Sequence, residues 1–136
     1  MLKLSRLTDY AVVVLAEMSR TQGTLQAASS LSAKTGLPEP TVAKILKTLS
    51  RNGLITSVRG VAGGYKLERA ADALPVSLII AAMEGPISLT SCVSGSHDSC
   101  ALEGTCSMTG RWNPVNAAIN AALEKVTLAD MNMGRV

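Results

Sequence analysis

The stretch from Gly36 to Arg69 constrains this chain more than any other. It reads GLPEPTVAKILKTLSRNG and then LITSVRGVAGGYKLER. Pro40 sits in a first helical turn, where its missing N–H would be unpaired in any case. Val42, Ile45, Leu46 and Leu49 fall on one helical face, and Thr41, Lys44, Lys47, Thr48 and Arg51 fall on the others. Asn52-Gly53 stops that helix. Leu54, Thr56 and Val58 then alternate with Ile55, Ser57 and Arg59, and the alternation resumes at Tyr65 beyond a glycine-rich turn. The predicted order is helix, strand, tight turn, strand.

Two helices are predicted upstream. Leu7, Ala11, Val14, Leu15 and Met18 share one face of a helix over 5–20, with Ser5 as its cap. Residues 26–35 form a second, short helix with Ala28 and Leu31 inward and Gly36 just past its end. Two short helices joined by a glycine-containing turn form a helix-turn-helix, and a hairpin directly after its second helix is a wing. The polar, basic face of the second helix suits the major groove of DNA. Arg59, beside Gly60, Gly63 and Gly64, suits the negative potential of a narrow minor groove. A plain helical hairpin followed by an ordinary β-hairpin is the competing reading.

Charge favours the first reading. Residues 1–69 carry ten Lys/Arg against four acids, and residues 70–136 carry three against six, so a net +3 hides a basic half and an acidic one. The 136 residues suit one domain or a small domain with an extension, and a division near residue 70 is expected. Aromatic residues are only 2%, too few for a base-stacking binder of single strands. No apolar run is long enough to span a membrane and the N-terminus lacks a signal-peptide core, so a cytoplasmic protein is expected. No phosphate-cradling loop occurs, and the single His has no nucleophile beside it in any readable pattern. An enzyme with a small-molecule substrate is not expected.

The second half is read as a helix over 76–84, a loop over 87–107 and a C-terminal helix. Met108, Trp112, Val115, Ile119, Ala122 and Val126 keep a heptad spacing, the pattern of paired helices, and point to a dimer. Asn113-Pro114 implies either a helix starting there or a kink in a longer one. Residues 127–136 are expected to fray.

All three cysteines, Cys92, Cys100 and Cys106, lie in the loop, with seven and five residues between them. The spacing fits neither a Cys-x-x-Cys dithiol nor a zinc ribbon. Three thiolates on an irregular loop can hold an iron–sulfur cluster if a fourth ligand is found, and His97 and Asp9 are the candidates. Structural zinc with His97, redox-active thiols and ordinary small side chains remain open alternatives.

The set RLTDYA, TGLPEPTVAKILK, SVRG-x-x-GGY and EGPI-x-LT-x-C, with three clustered cysteines, resembles the Rrf2 family of winged-helix transcription regulators. The resemblance covers about residues 1–130 and is nearest the subfamily that controls SUF iron–sulfur assembly genes. It implies a mainly α fold, with a winged helix-turn-helix domain (1–70), then a cluster loop and a long dimerisation helix (71–136). It implies a homodimeric DNA-binding repressor with a [4Fe-4S] or [2Fe-2S] cluster on Cys92, Cys100 and Cys106. Thr8-Asp9 matches the pair that supplies an Asp ligand across the dimer in the NsrR-like branch, so Asp9 leads as fourth ligand and His97 follows. Thr109 stands where the IscR-like branch has a His ligand. Val61-Ala62 replaces the Pro-Gly of many wing tips, and Ala43 replaces a Glu of the IscR recognition helix. Thr41 and Lys44 are then expected on base edges and phosphates, and Arg59 and Gly60 at the minor groove. Tyr65 is expected to pack or touch phosphate, and Ser5 and Arg6 to hold the DNA backbone. Rival readings are a nitric-oxide or redox regulator of this family, a zinc or thiol regulator without a cluster, and an electron carrier or cluster-delivery protein.

Overall fold

The computed structural model describes residues 3–102 and 104–133. Helix α1 (Arg6–Ser19) begins at Ser5, whose hydroxyl accepts from the Thr8 N–H at 3.1 Å. Helix α2 (Ala28–Thr35) ends at Gly36, whose φ of 80° a side chain would resist. It starts two residues later than predicted because the Gln26 backbone is taken by another element, described below. Helix α3 (Glu39–Arg51) follows a three-residue link, with Pro40 in its first turn. Strands β1 (Thr56–Val58) and β2 (Gly64–Lys66) pair antiparallel, with Ser57 opposite Tyr65. A single 3-10 turn (Ala71–Ala73) leads to α4 (Val76–Glu84), which keeps its predicted bounds. Helices α5 (Asn113–Lys125) and α6 (Leu128–Met133) close the described chain. This is a mainly helical winged-helix fold with a two-stranded wing, as the sequence implied.

One core joins these elements. Ala11, Val14, Leu15 and Met18 of α1 meet Leu31 of α2 and Val42, Ile45, Leu46 and Leu49 of α3. Leu54 and Ile55 enter it from the strand approach, so the ladder itself begins only at Thr56. Leu74, Ile79 and Leu128 come from beyond residue 70 and share the same core. No described helix is long and apolar enough to cross a membrane.

The C-terminal segment departs from the expectation of a frayed end. Val126 is extended, and its carbonyl accepts from the Val76 N–H at 2.8 Å. The Leu128 N–H in turn donates to the Leu74 carbonyl at 2.9 Å. Thr127 and Asp130 then cap α6 reciprocally, side chain to backbone, at 2.9 and 3.2 Å. Leu128 is 0% exposed. Residues 134–136, the rest of that expectation, lie outside the described residues. The heptad seam also shortens: Met108 precedes α5, which begins at Asn113 as one helix without a longer kinked arm.

Leu128→Ala is expected to destabilise the protein by about 2–5 kcal/mol, the cost of emptying a fully buried leucine site. Urea unfolding followed by circular dichroism measures it. A change within error would mean that α6 is not part of the cooperative core.

Candidate nucleic-acid interface and cysteine loop

Burial of the apolar stripe turns the other side of α3 to solvent. Ala43, Lys44 and Lys47 are exposed there, and Thr41 is half-buried. The Thr48 hydroxyl donates to the Lys44 carbonyl at 3.0 Å, within the helix. Between α3 and the hairpin runs an open groove of about 480 Å³, into which Lys47, Ser50, Arg59 and Tyr65 contribute. Cationic side chains therefore line both the helix and the wing side of one concave surface.

The wing is held by more than its own two strands. Gln26 and Tyr65 exchange backbone hydrogen bonds of 2.8 and 2.9 Å, forming a third rung before α2. Gly23 N–H adds a bond to the Leu67 carbonyl at 2.8 Å. Tyr65 is half-buried and packs against the core. At the tip, Gly63 N–H closes the turn onto the Gly60 carbonyl at 3.0 Å. A Cβ on Gly63 would overlap the Val58 carbonyl oxygen, and one on Gly64 would lie 2.7 Å from the Gln26 carbonyl oxygen. These two glycines are required by close backbone approach.

Arg6 is exposed at the start of α1, near Lys3 and Asp9. The Ser5 hydroxyl serves as the cap, and the Ser5 N–H donates to Glu84 Oε2 at 3.3 Å. In the pair Thr8-Asp9, Thr8 is buried with its hydroxyl 2.9 Å from that of Ser5, whereas Asp9 points to solvent.

Cys92 and Cys106 are half-buried and Cys100 is exposed, as is His97. The Thr90 hydroxyl lies 3.2 Å from Cys92 Sγ, and the Met108 N–H donates to Cys106 Sγ at 3.4 Å. Among the described residues, no three Cys, His, Asp or Glu side chains stand close enough to share a metal ion. The donor set suits a soft metal centre in kind, with three thiols on one loop and polar hydrogens beside two of them. The fold does not bring those donors together in a single chain.

Residues outside the predicted set hold this loop in place. Asn116, 8% exposed, accepts from the Leu89 N–H at 2.8 Å and donates to the Ile87 carbonyl at 3.0 Å. Asn113 accepts from the Ser94 N–H at 2.8 Å. The available signal was an Asn-x-x-Asn spacing that puts two amides on one helix face. The heptad seam of α5 lies largely outward instead, with Trp112 and Val115 46% and 43% exposed.

Gly63→Ala is expected to speed amide exchange through residues 56–66 while leaving protection in α1 and α3 unchanged. Exchange followed by mass spectrometry reads this, and unchanged hairpin protection would show that the tip has room for a methyl group.

The architecture matches known proteins throughout its length. Residues 4–133 match the Rrf2 family, described as iron-dependent transcriptional regulators. A Mycobacterium tuberculosis protein named as an HTH-type transcriptional regulator (Rv1287) is 28% identical over 98% of this chain and 83% of its own. The HTH-type transcriptional regulator IscR of Erwinia tasmaniensis is 30% identical over 76% of this chain and 61% of its own. Among solved structures, CymR, the global cysteine regulator of B. subtilis, superposes with a TM-score of 0.73 at 26% identity, covering 100% of both chains. T. potens IscR superposes with a TM-score of 0.66 at 28% identity, covering 96% of this chain and 85% of its own. These proteins are regulators rather than enzymes. The chain belongs to the Rrf2 family of DNA-binding transcriptional regulators.

Proposed function

We propose that this chain is a dimeric repressor that controls iron–sulfur assembly genes of the SUF type and senses an iron–sulfur cluster. The observation that carries the reading is the joining of two parts in one small core. A basic helix-and-wing surface and a three-cysteine loop hung on α5 are both built on that core. Thr41 and Lys44 are assigned to the major groove, and Arg59 with Gly60 to the minor groove. Arg6 is assigned to the DNA backbone. Ser5 acts there through its cap of α1, and Tyr65 acts by packing the wing.

Pairing of two copies follows from the outward face of α5. Val115 on α5, with Trp112 and Val126 at its two ends, leaves apolar surface exposed on a helix whose inward residue is Asn116. A second copy covers such a face best by presenting the same seam. Two-fold symmetry then sets the recognition helices at half-sites about one helical turn apart.

Cys92, Cys100 and Cys106 would hold the cluster, with Asp9 of a second copy as fourth ligand and His97 as the substitute. When bound, such a cluster supplies an iron- and oxidation-sensitive link among its ligands. Because the donors are not preassembled in one chain, binding is coupled to ordering of the loop. The chain's own residues carry the effect to DNA. α5 is stitched to α4 at Val126, and Leu128 sits in the core beside α1, so a displaced α5 moves the reading head. Likeness to the global cysteine regulator of B. subtilis supports a second reading, a thiol-bearing regulator of this family without a cluster.

Two measurements test these assignments. Lys44→Ala and Arg59→Ala are each expected to reduce the salt slope of duplex binding by about two units, the counterion release of one cationic contact in each of the two copies. Anisotropy titrations of the promoter duplex of the source organism's SUF genes, at several salt concentrations, give the slopes. Equal slopes for variant and parent would remove those side chains from the interface.

Anaerobically purified protein is expected to be brown, with matched iron and acid-labile sulfide, and Cys92→Ala is expected to lose most of both. A colourless protein that holds only zinc, or no metal after anaerobic reconstitution, would favour the second reading.

A further inference from the structure

The loop between α4 and α5 has little to hold it. From residue 87 to residue 112, Val93 is the one buried apolar side chain among the described residues, at 4% exposure. Yet the stretch carrying Cys92 is tied down at both ends, and each tie comes from α5. Asn116 reaches the backbone of Ile87 and Leu89 with both halves of its amide. Asn113, one helical turn away, takes the N–H of Ser94. A groove of about 440 Å³ opens beside these asparagines, so the stretch has solvent rather than protein on one side.

We propose that Asn113 and Asn116 are positioning residues, a two-point amide clamp that fixes the Cys92 segment on α5. The inference deepens the proposed sensing role and rests on the reading that the loop cysteines are the sensing groups. It adds the route by which the loop grips the pairing helix. Val93 anchors the segment without direction, because apolar contact fixes no register. The amides supply direction, since a backbone N–H or carbonyl meets them only at one position along the chain. An asparagine buried against its own chain while the neighbouring apolar seam faces outward also has a reason here. It satisfies the polar backbone of a segment that forms neither helix nor strand.

The test uses metal-free full-length protein with Cys100→Ser and Cys106→Ser, so that Cys92 is the single thiol. Its rate of alkylation by iodoacetamide reports how often the segment leaves α5. Asn116→Ala is expected to raise that rate about 5- to 100-fold, the range that follows from losing two net hydrogen bonds from the closed state. Asn113→Ala is expected to raise it as well, whereas Asn113→Asp keeps the parent rate. Only the acceptor of Asn113 is used, and a carboxylate provides it. The same substitutions made in a Cys106-only background (Cys92→Ser, Cys100→Ser) are expected to leave that thiol's rate unchanged.

An unchanged Cys92 rate in the alanine variants would overturn the clamp. So would an equal rise at Cys106, which would mean general loosening. If Asn116→Ala does not fold, the contrast between Asn113→Ala and Asn113→Asp decides, and equal rates for that pair overturn the proposal. Failure of the sensing role is read separately. Protein that never takes up iron but shows the expected alkylation pattern keeps the clamp and loses the cluster.

Discussion

Burial of Val42, Ile45, Leu46 and Leu49 decides which way α3 faces, and much else follows from it. Each fully buried aliphatic side chain contributes about 1.5–3 kcal/mol, so rotating the helix to hide Lys44 or Lys47 would be prohibitive. The basic face is therefore presented to solvent by the same packing that stabilises the domain. The wing is brought beside it because Leu54 and Ile55 enter that core directly after the helix ends. Recognition surface and core are two sides of one constraint.

Helix α5 is built on the opposite plan. Its one buried residue is Asn116, and its large apolar side chains lie outward or at the edge. Within one chain it is attached by amide hydrogen bonds to the loop and by a backbone bridge at Pro75 and Thr127. Directional bonds hold position with little net stabilisation, typically about 1 kcal/mol each. Helix α4 also packs along α5, so these bonds set its register rather than carry its attachment alone. Leu128 then anchors the far end where shifting would cost most.

The strongly periodic elements were legible from residues alone. α3 and α4 carry clean apolar stripes, and Ser5 and Gly36 mark helix ends with the chemistry those ends require. What escaped was long-range or local polar detail. The start of α2 is set by Gln26 pairing with Tyr65, thirty-nine positions away, which no local pattern announces. The order of α6 was missed although Thr127 and Asp130 have the spacing of a reciprocal cap, because a short helix near the end reads as fraying. In the cysteine loop, spacing predicts the donor type but not convergence. Whether three thiols meet depends on backbone turns that carry no hydrophobic period.

Charge is divided along the sequence much as the proposed roles are. The basic excess of residues 1–69 falls mainly on α3, the wing and the residues that flank α1, which itself carries two acids to one base, whereas residues 70–136 carry three more acids than bases. A polyanion is drawn to the helix-and-wing surface by that excess. On the proposed reading, a signal at the loop reaches α3 through protein, since the loop is tied to α5. The route available is α5, the bridge at Val126 and Val76, and the core shared by Leu128, α1 and α3. The link at Val126 and Val76 is a backbone hydrogen bond, whereas Leu128 joins by side-chain packing, so a substitution at Leu128 tests the proposed route most directly.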